Sequence, residues 1–200
     1  MPKFSCFFLW SFLLLASHTF SQKKVLYTKA TTEKVTIDGK FEEAAWKDAA
    51  IATDFVMIDP DNGKAAPYER RTEVKIIYDN TAIYIAATLY DDEPQKILKE
   101  LTLRDNFSTA DHFGVLLNGY NDGQQDYRFY VSSAGVQTDC IASADGYADY
   151  NWNAVWASHA EFTDFGWVVE MKIPYAAIRF PSNKVQTWGL NIYREIRSSS

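Results

Sequence analysis

Cysteine is nearly absent from this 200-residue chain: Cys6 and Cys140 are the whole complement. Cys6 falls in an N-terminal stretch that reads as a removable leader, which leaves Cys140 alone and excludes an internal disulfide. The fold must then rest on its core rather than on covalent staples. Histidine is equally scarce. Beyond the leader only His112 and His159 remain, and neither has a Cys or His neighbour at metal-ligand spacing, which argues against zinc. Basic residues are outnumbered, 20 against 26 acidic ones, for a net charge of −6. An acidic surface repels phosphate backbones and anionic lipid, so nucleic acid is not an expected partner. No Gly-x-Ser-x-Gly elbow and no P-loop occurs. Nothing points to a Ser-His-Asp triad, and no repeat or low-complexity linker breaks the chain.

The N-terminus carries the first positive signal. Met1-Pro2-Lys3 precedes a dense apolar stretch from Phe7 to Ala16, then a polar segment with Thr19 and Ser21 at the −3 and −1 places before Gln22. That is the layout of a secretory leader over residues 1–21, and its apolar run falls well short of the ~20 residues of a membrane-spanning helix. Export to the periplasm, the outer-membrane surface or the medium is the expectation. Removal of the leader takes away Lys3 alone among charged residues and moves the net charge from −6 to −7. Roughly 180 residues remain, the size of one domain with a proper core. We read 22–34 as a lead-in and 35–200 as a single domain, with Ser198-Ser199-Ser200 following a strand so closely that the C-terminus reads as truncated.

Residues 37–50, IDGKFEEAAWKDAA, combine an Asp38-Gly39 turn with helical spacing from Phe41 to Ala49, which predicts one or two helical turns pinned by Trp46. A short edge strand is expected at Lys24–Tyr27. Thereafter the pattern switches to period two. Alternation predicts strands at Thr53–Met57, Thr72–Tyr78, Ala82–Tyr90, Phe113–Asn118, Tyr127–Ser132, Val136–Ile141, Val155–Phe162, Trp167–Ile173 and Trp188–Arg194. Pro174–Ile178 reads as a single helical turn, and Ile97–Leu103 as either a helical turn or a short strand. Many short strands with turn residues about every ten positions predict an all-β antiparallel sandwich or barrel.

Three acidic loops place oxygen ligands on turns: Asp59 to Gly63, Asp91-Asp92-Glu93, and Asp145 to Asp149. Asp91, Asp92, Asp145 and Asp149 are therefore candidate ligands for a structural calcium ion, against the plainer reading of ordinary Asx turns. A glycosidase needs only two carboxylates at a set separation, which a sequence does not measure. Residues 147–156, YADYNWNAVW, form an aromatic loop. Sugar C–H faces stack on rings while amides bond hydroxyls, and Trp152 between Asn151 and Asn153 fits that chemistry; Trp156 reads as core. Arg128 alternates with apolar neighbours on its strand. On a cleft-lining face its guanidinium would fork onto hydroxyls; on an outer face it would be a surface charge.

The order of these pieces resembles the family 9 carbohydrate-binding modules, in particular the family 9-like domain that opens a group of large bacterial outer-surface proteins. The resemblance rests on IDGKFEEAAW (37–46), TEVKIIYDNTAIYIAATLYDDEP (72–94), RDNFSTADHFGVLLN (104–118), DYRFYVSSAGVQTD (126–139), GWVVEMKIPYAAIRF (166–180) and WGLNIYRE (188–195). It implies an antiparallel β-sandwich, calcium in some members and a site for sugar ends flanked by two tryptophans. Arg128 falls on the family's sugar-bonding arginine and Asp111 on the acidic residue that opens its central strand. The chain departs from the pattern where Ser108, with Phe107 beside it, replaces the first stacking tryptophan, where Gly114 replaces a ligand-bonding glutamate, and where the second tryptophan would lie beyond Ser200.

The candidate carbohydrate site is accordingly Arg128, Trp152, Asp111, Asn153 and Phe107. The expected role is carbohydrate binding outside the cytoplasm in support of glycan degradation, by association with O-glycosyl hydrolysis in a larger protein. A C-terminal β-barrel or catalytic region is the partner the resemblance implies. Three alternatives stay open. One is a structural or interaction sandwich that has lost its sugar site. Another is a glycosidase in its own right. The third is a haem-binding sandwich with an axial ligand among Met57, Met171, His112 and His159.

Overall fold

The computed structural model describes residues 23–197, so the expected leader and the final serines lie outside the described residues. In chain order the strands are β1 (Lys29–Ala30), β2 (Ile51–Ala52), β3 (Thr72–Tyr78), β4 (Ala82–Tyr90), β5 (His112–Asn118) and β6 (Gln125–Ser132). They continue as β7 (Gln137–Ser143), β8 (Ala148–Asp149), β9 (Ala157–Thr163), β10 (Gly166–Pro174) and β11 (Gly189–Glu195). Among the described residues one α-helical turn, α1, spans Ala44–Lys47, with 3-10 turns at Tyr68–Arg70, Pro94–Lys96 and Tyr175–Ala177. β3, β4, β10 and β9 form the body of a first sheet, whose β3 edge is capped by the short β1 and β2. The second sheet runs β11-β5-β6-β7-β8. All pairings are antiparallel apart from β1 on β3.

The alternation read in the sequence is what joins the sheets. Val74, Ile85, Leu89, Trp167, Val169 and Met171 of the first sheet meet Phe113, Val115, Phe129 and Val131 of the second, all at 0% exposure. Each such side chain contributes about 1.5–3 kcal/mol by leaving water, and the sum sets the pairing of the two layers. The predicted all-β antiparallel sandwich is the observed architecture.

Four local expectations shift. Thr53–Met57 is not a strand: Asp54 adopts φ 58, a left-handed backbone that breaks the extension, and only a Val56–Ala65 bridge remains. The helical turn pinned by Trp46 forms as α1 but starts at Ala44 rather than Phe41, because Glu43 is extended (ψ 140) and its carboxylate accepts the Thr36 N–H at 2.9 Å. The lead-in strand forms at Lys29–Ala30 instead of Lys24–Tyr27, where Lys24 reaches away to the Asp54 carbonyl at 2.8 Å. Residues 97–103 are neither helix nor strand.

The outer face of the first sheet is closed by residues 35–49. Val35, Trp46 and Ala49 pack on Ile77, Tyr84 and Ala86. The anchor is Glu170, wholly buried on β10, whose Oε2 accepts the N–H groups of Asp38 and Gly39 at 3.0 and 3.1 Å. Gly39 is required on two counts, its φ of 81 and the His159 ring standing where a Cβ would go.

Burial pushes the Glu170 carboxyl up to about 7 from 4.5, with the Glu43 and Asp38 charges adding to the rise and the two N–H bonds opposing it. Below pH 4.5 the folded and unfolded chains both carry the proton; between pH 4.5 and 7 only the folded chain holds it. Stability therefore falls as pH rises through that window, by up to ~3 kcal/mol. Glu170→Gln keeps an acceptor for the Asp38–Gly39 turn and removes the titration. Urea unfolding of both proteins at pH 4.5 and pH 8 should show the wild type losing more stability than the variant. Equal losses would contradict a titrating, buried Glu170.

Candidate functional site

Strand β6 separates the predicted site residues by parity. Tyr127, Phe129 and Val131 point into the core, which turns Arg128 and Tyr130 onto the outer face of the second sheet. The register sets Arg128 between Leu116 on β5 and Cys140 on β7, and Tyr130 between Gly114 and Thr138. The Tyr130 ring packs against Gly114 so closely that a Cβ at 114 would come within 2.6 Å of its Cε1 and closer still to its Cδ1. A glutamate there and this placement of Tyr130 exclude one another, which is the physical content of the glycine at that position.

Aromatic rings cover this face. Phe107 sits 5.2 Å from His112, 5.2 Å from Tyr130 and 5.9 Å from Tyr150, edge-on to both tyrosines. Tyr193 of β11 meets Tyr130 edge-on at 6.2 Å. Phe107 and Tyr150 keep 37% and 42% of their surface exposed, so both offer ring area to a ligand. Tyr130 and Cys140 lie beneath them. Burial pushes the Tyr130 phenol up to about 12, with the Arg128 charge opposing, and raises the Cys140 thiol as well. The His112 imidazole is depressed below its usual range by burial and by the Arg197 charge, against Glu195.

Arg128 is the cation of this surface. Its side chain is about a quarter exposed, and its Nη2 lies 3.5 Å from the Asp126 carboxylate. The Arg128 Nε is buried and has no hydrogen-bond partner among the described residues. The exposed quarter of that guanidinium, beside half-exposed rings, is suited to hydroxyl groups carried on a C–H face.

The other predicted residues lie elsewhere. Trp152 packs edge-on against Tyr127 at 5.5 Å and Phe129 at 6.0 Å, which puts it at the rim of the core on the opposite side of β6 from Arg128. Asn153 accepts a hydrogen bond from Arg104 Nε at 3.3 Å; Arg104 also donates to Asp139 at 2.7 Å and to the Ala154 carbonyl at 3.1 Å. Asp139 in turn accepts the Ala154 N–H at 2.6 Å. Asn153 thus helps clamp the 150–156 loop to the edge of β7. Asp111 is fully buried ahead of β5, where its Oδ1 accepts the Arg197 N–H at 2.9 Å. Of the five candidates, Phe107 and Arg128 share a face. Tyr130, Tyr150 and Tyr193 belong to the same face as well; the i, i+2 relation of Tyr130 to Arg128 is the sequence signal for the first, and none marks Tyr193.

The carboxylates proposed for calcium do not converge. Asp92 pairs with Arg70 at 2.6 Å and Asp91 faces Arg194 at 3.6 Å, so guanidinium groups supply the positive charge there. Asp145 accepts Ser143 Oγ–H and the Tyr147 N–H, and Asp149 accepts the Asn151 N–H, as Asx turns do. No group of three His, Cys, Asp or Glu side chains able to hold a metal forms among the described residues. The four haem-ligand candidates are likewise dispersed. Met171 is core, Met57 lies in the 53–66 loop, His112 is beneath Phe107, and His159 stands against Gly39 on the outer face of the first sheet.

Comparison with known proteins adds the family. Two solved structures of a carbohydrate-binding module of family 9 from Caldicellulosiruptor kristjanssonii resemble the chain. One is in complex with cellotriose, at 17% identity and TM-score 0.56 over 84% of this chain and 75% of that one. The other is in complex with glucose, at 17% identity and TM-score 0.56 over 86% and 79%. At such identity the likeness carries the fold alone. Among curated proteins, none matches. Residues 37–194 match the model of the carbohydrate family 9 binding domain-like family. Because that match takes in both sheets from the Asp38-Gly39 turn to β11, the chain belongs to the carbohydrate family 9 binding domain-like family.

Proposed function

We propose that this chain is a non-catalytic carbohydrate-binding domain, and that its ligand docks on the outer face of the second sheet. The observation that carries the reading is the gathering of Arg128 with the half-exposed Phe107 and Tyr150 rings on one solvent-facing surface. In this reading the rings take a sugar C–H face, Arg128 bonds its hydroxyls, and Asp126 holds the guanidinium in position. The surface is open rather than enclosed, so binding is weak and wet, as suits a domain that keeps a polymer near other machinery. The family suggests a place in glycan degradation, with hydrolysis of O-glycosyl bonds performed by another part of a larger protein or complex. The leader-like N-terminus supports a location outside the cytoplasm.

A second reading draws on one specific observation. Tyr130 over Gly114 and Phe107 against Tyr130 fill the middle of the face with the protein's own rings. A structural or interaction sandwich that has given up its sugar site would look similar.

Calorimetric titration with cellotriose, and with xylo- and laminari-oligosaccharides of the same length, separates the two. Under the carbohydrate reading at least one of them binds, and Arg128→Ala weakens it by roughly 10- to 100-fold, the worth of hydrogen bonds from a charged donor. Absence of binding by the folded wild type to any of these sugars and to a wider glycan panel would favour the structural reading. Trp152→Ala provides the contrast. It should lower unfolding stability by roughly 2 kcal/mol, the loss expected for a half-buried core ring, and leave the affinity of the folded protein unchanged. A loss of affinity at unchanged stability would move the site to the Trp152 side.

A further inference from the structure

The first sheet carries an aromatic surface of its own on the far side of the sandwich from Arg128. Tyr90, the last residue of β4, lies on the same outer face as Glu73 of β3. The Arg71 guanidinium stands 3.4 Å from the centre of the Tyr90 ring and 4.4 Å from that of Tyr68. The same group donates to Glu73 at 3.2 Å through Nε and to the Tyr68 carbonyl at 3.2 Å through Nη1. Phe165, from the turn between β9 and β10, adds its ring 5.4 Å from Tyr90. Tyr68 remains 73% exposed and Phe165 45% exposed.

Exposed rings are common; rings held on a rigid frame are less so. The 68–71 turn is tied to the end of β4 by the Tyr90 N–H to the Arg71 carbonyl at 3.0 Å. Buried Arg194 reinforces the tie by donating to the carbonyls of Arg70 and Tyr90 at 2.9 and 2.8 Å. The Phe165 turn is fastened by the Asp91 N–H to the Phe165 carbonyl at 2.9 Å. Arg71 braces the Tyr68 ring from one side, so little ordering entropy is lost when a ligand covers the exposed remainder.

The charges select the ligand. Arg70 pairs with Asp92 at 2.6 Å and Arg71 with Glu73 at 3.2 Å, so each of these cations beside the rings is matched by a carboxylate. A polyanion finds no net positive field here, and a cation finds Arg71 already lodged between the rings. A neutral ligand with apolar C–H faces and many hydroxyls matches both the rings and the paired charges. We propose that Tyr68, Tyr90 and Phe165 around Arg71 form a second glycan-binding platform, an inference that rests on the carbohydrate-binding reading of this chain. Tyr68 and Phe165 stack on the sugar, while Glu73, Asp92 and Arg70 bond its hydroxyls. The domain then contacts glycan on both outer faces and can lie between two polymer strands.

The test is titration of the isotope-labelled chain with cellohexaose, xylohexaose and laminarihexaose, followed by amide chemical shifts. The proposal expects one of these sugars to shift the amides of residues 68–71, 90–92 and 164–166 as well as those of 127–131 and 150. The double variant Tyr68→Ala with Phe165→Ala then loses the first set alone, and binding at that face weakens about tenfold, the worth of lost ring contacts. Shifts confined to the Arg128 side would overturn the second platform and leave the primary reading intact. No shift with any of the three sugars would sink both. Movement of the first set with protein concentration alone, without sugar, would show a self-association face and also overturn the proposal.

Discussion

The register of β6 between β5 and β7 is the constraint on which the rest depends. It commits Tyr127, Phe129 and Val131 to the interior and Arg128 and Tyr130 to the outside. A slip by one residue would exchange the two sets and drive a guanidinium into a core of phenyl and indole rings. Side-chain volume reinforces the pairing. Gly114 is the residue opposite Tyr130, and only the absence of a Cβ lets that ring lie across the strand. The outer face that carries Arg128 and Tyr130 is thus a by-product of the pattern that builds the core.

Two buried or half-buried arginines fasten the loops at the margins of the sandwich. Arg194 turns inward from β11 and donates to backbone carbonyls of residues 70, 71 and 90, which stitches the second sheet to the end of the first. Burial lowers its pKa to about 10, with the Asp91 and Asp111 charges opposing, so it stays protonated at neutral pH. At the β7 edge Arg104 performs a similar task for the 150–156 loop through Asp139, Asn153 and the Ala154 carbonyl. These clamps explain why a chain with one buried cysteine and no disulfide among the described residues still presents well-placed rings on its surfaces.

The fold was legible because period-two alternation is a strong, local signal. The strands at 72–78, 82–90 and 167–173 appear almost as read, and their inward sets are the observed core. The failures have particular causes. A left-handed Asp54 broke an alternation that was otherwise convincing, and Glu43 spent its carboxylate on the Thr36 backbone instead of starting a longer helix. The face of the site was half legible. Parity put Tyr130 beside Arg128, yet Trp152 and Asn153 stood out by composition, and composition carries no direction. Whether an aromatic loop folds over the core or out into solvent is decided by long-range contacts, here with Tyr127, Phe129 and Arg104. The acidic loops misled for the same reason, since their guanidinium partners lie far away in sequence: Asp92 with Arg70, and Asp91 with Arg194.

Cross-strand NOE spectroscopy on the labelled chain tests the account at its root. It predicts contacts from the Tyr130 ring protons to the Gly114 α-protons, and from the Trp152 indole to the rings of Tyr127 and Phe129. Contacts from the Trp152 indole to the Arg128 side chain or the Tyr130 ring would place both on one face of β6 and contradict the register from which the site is built.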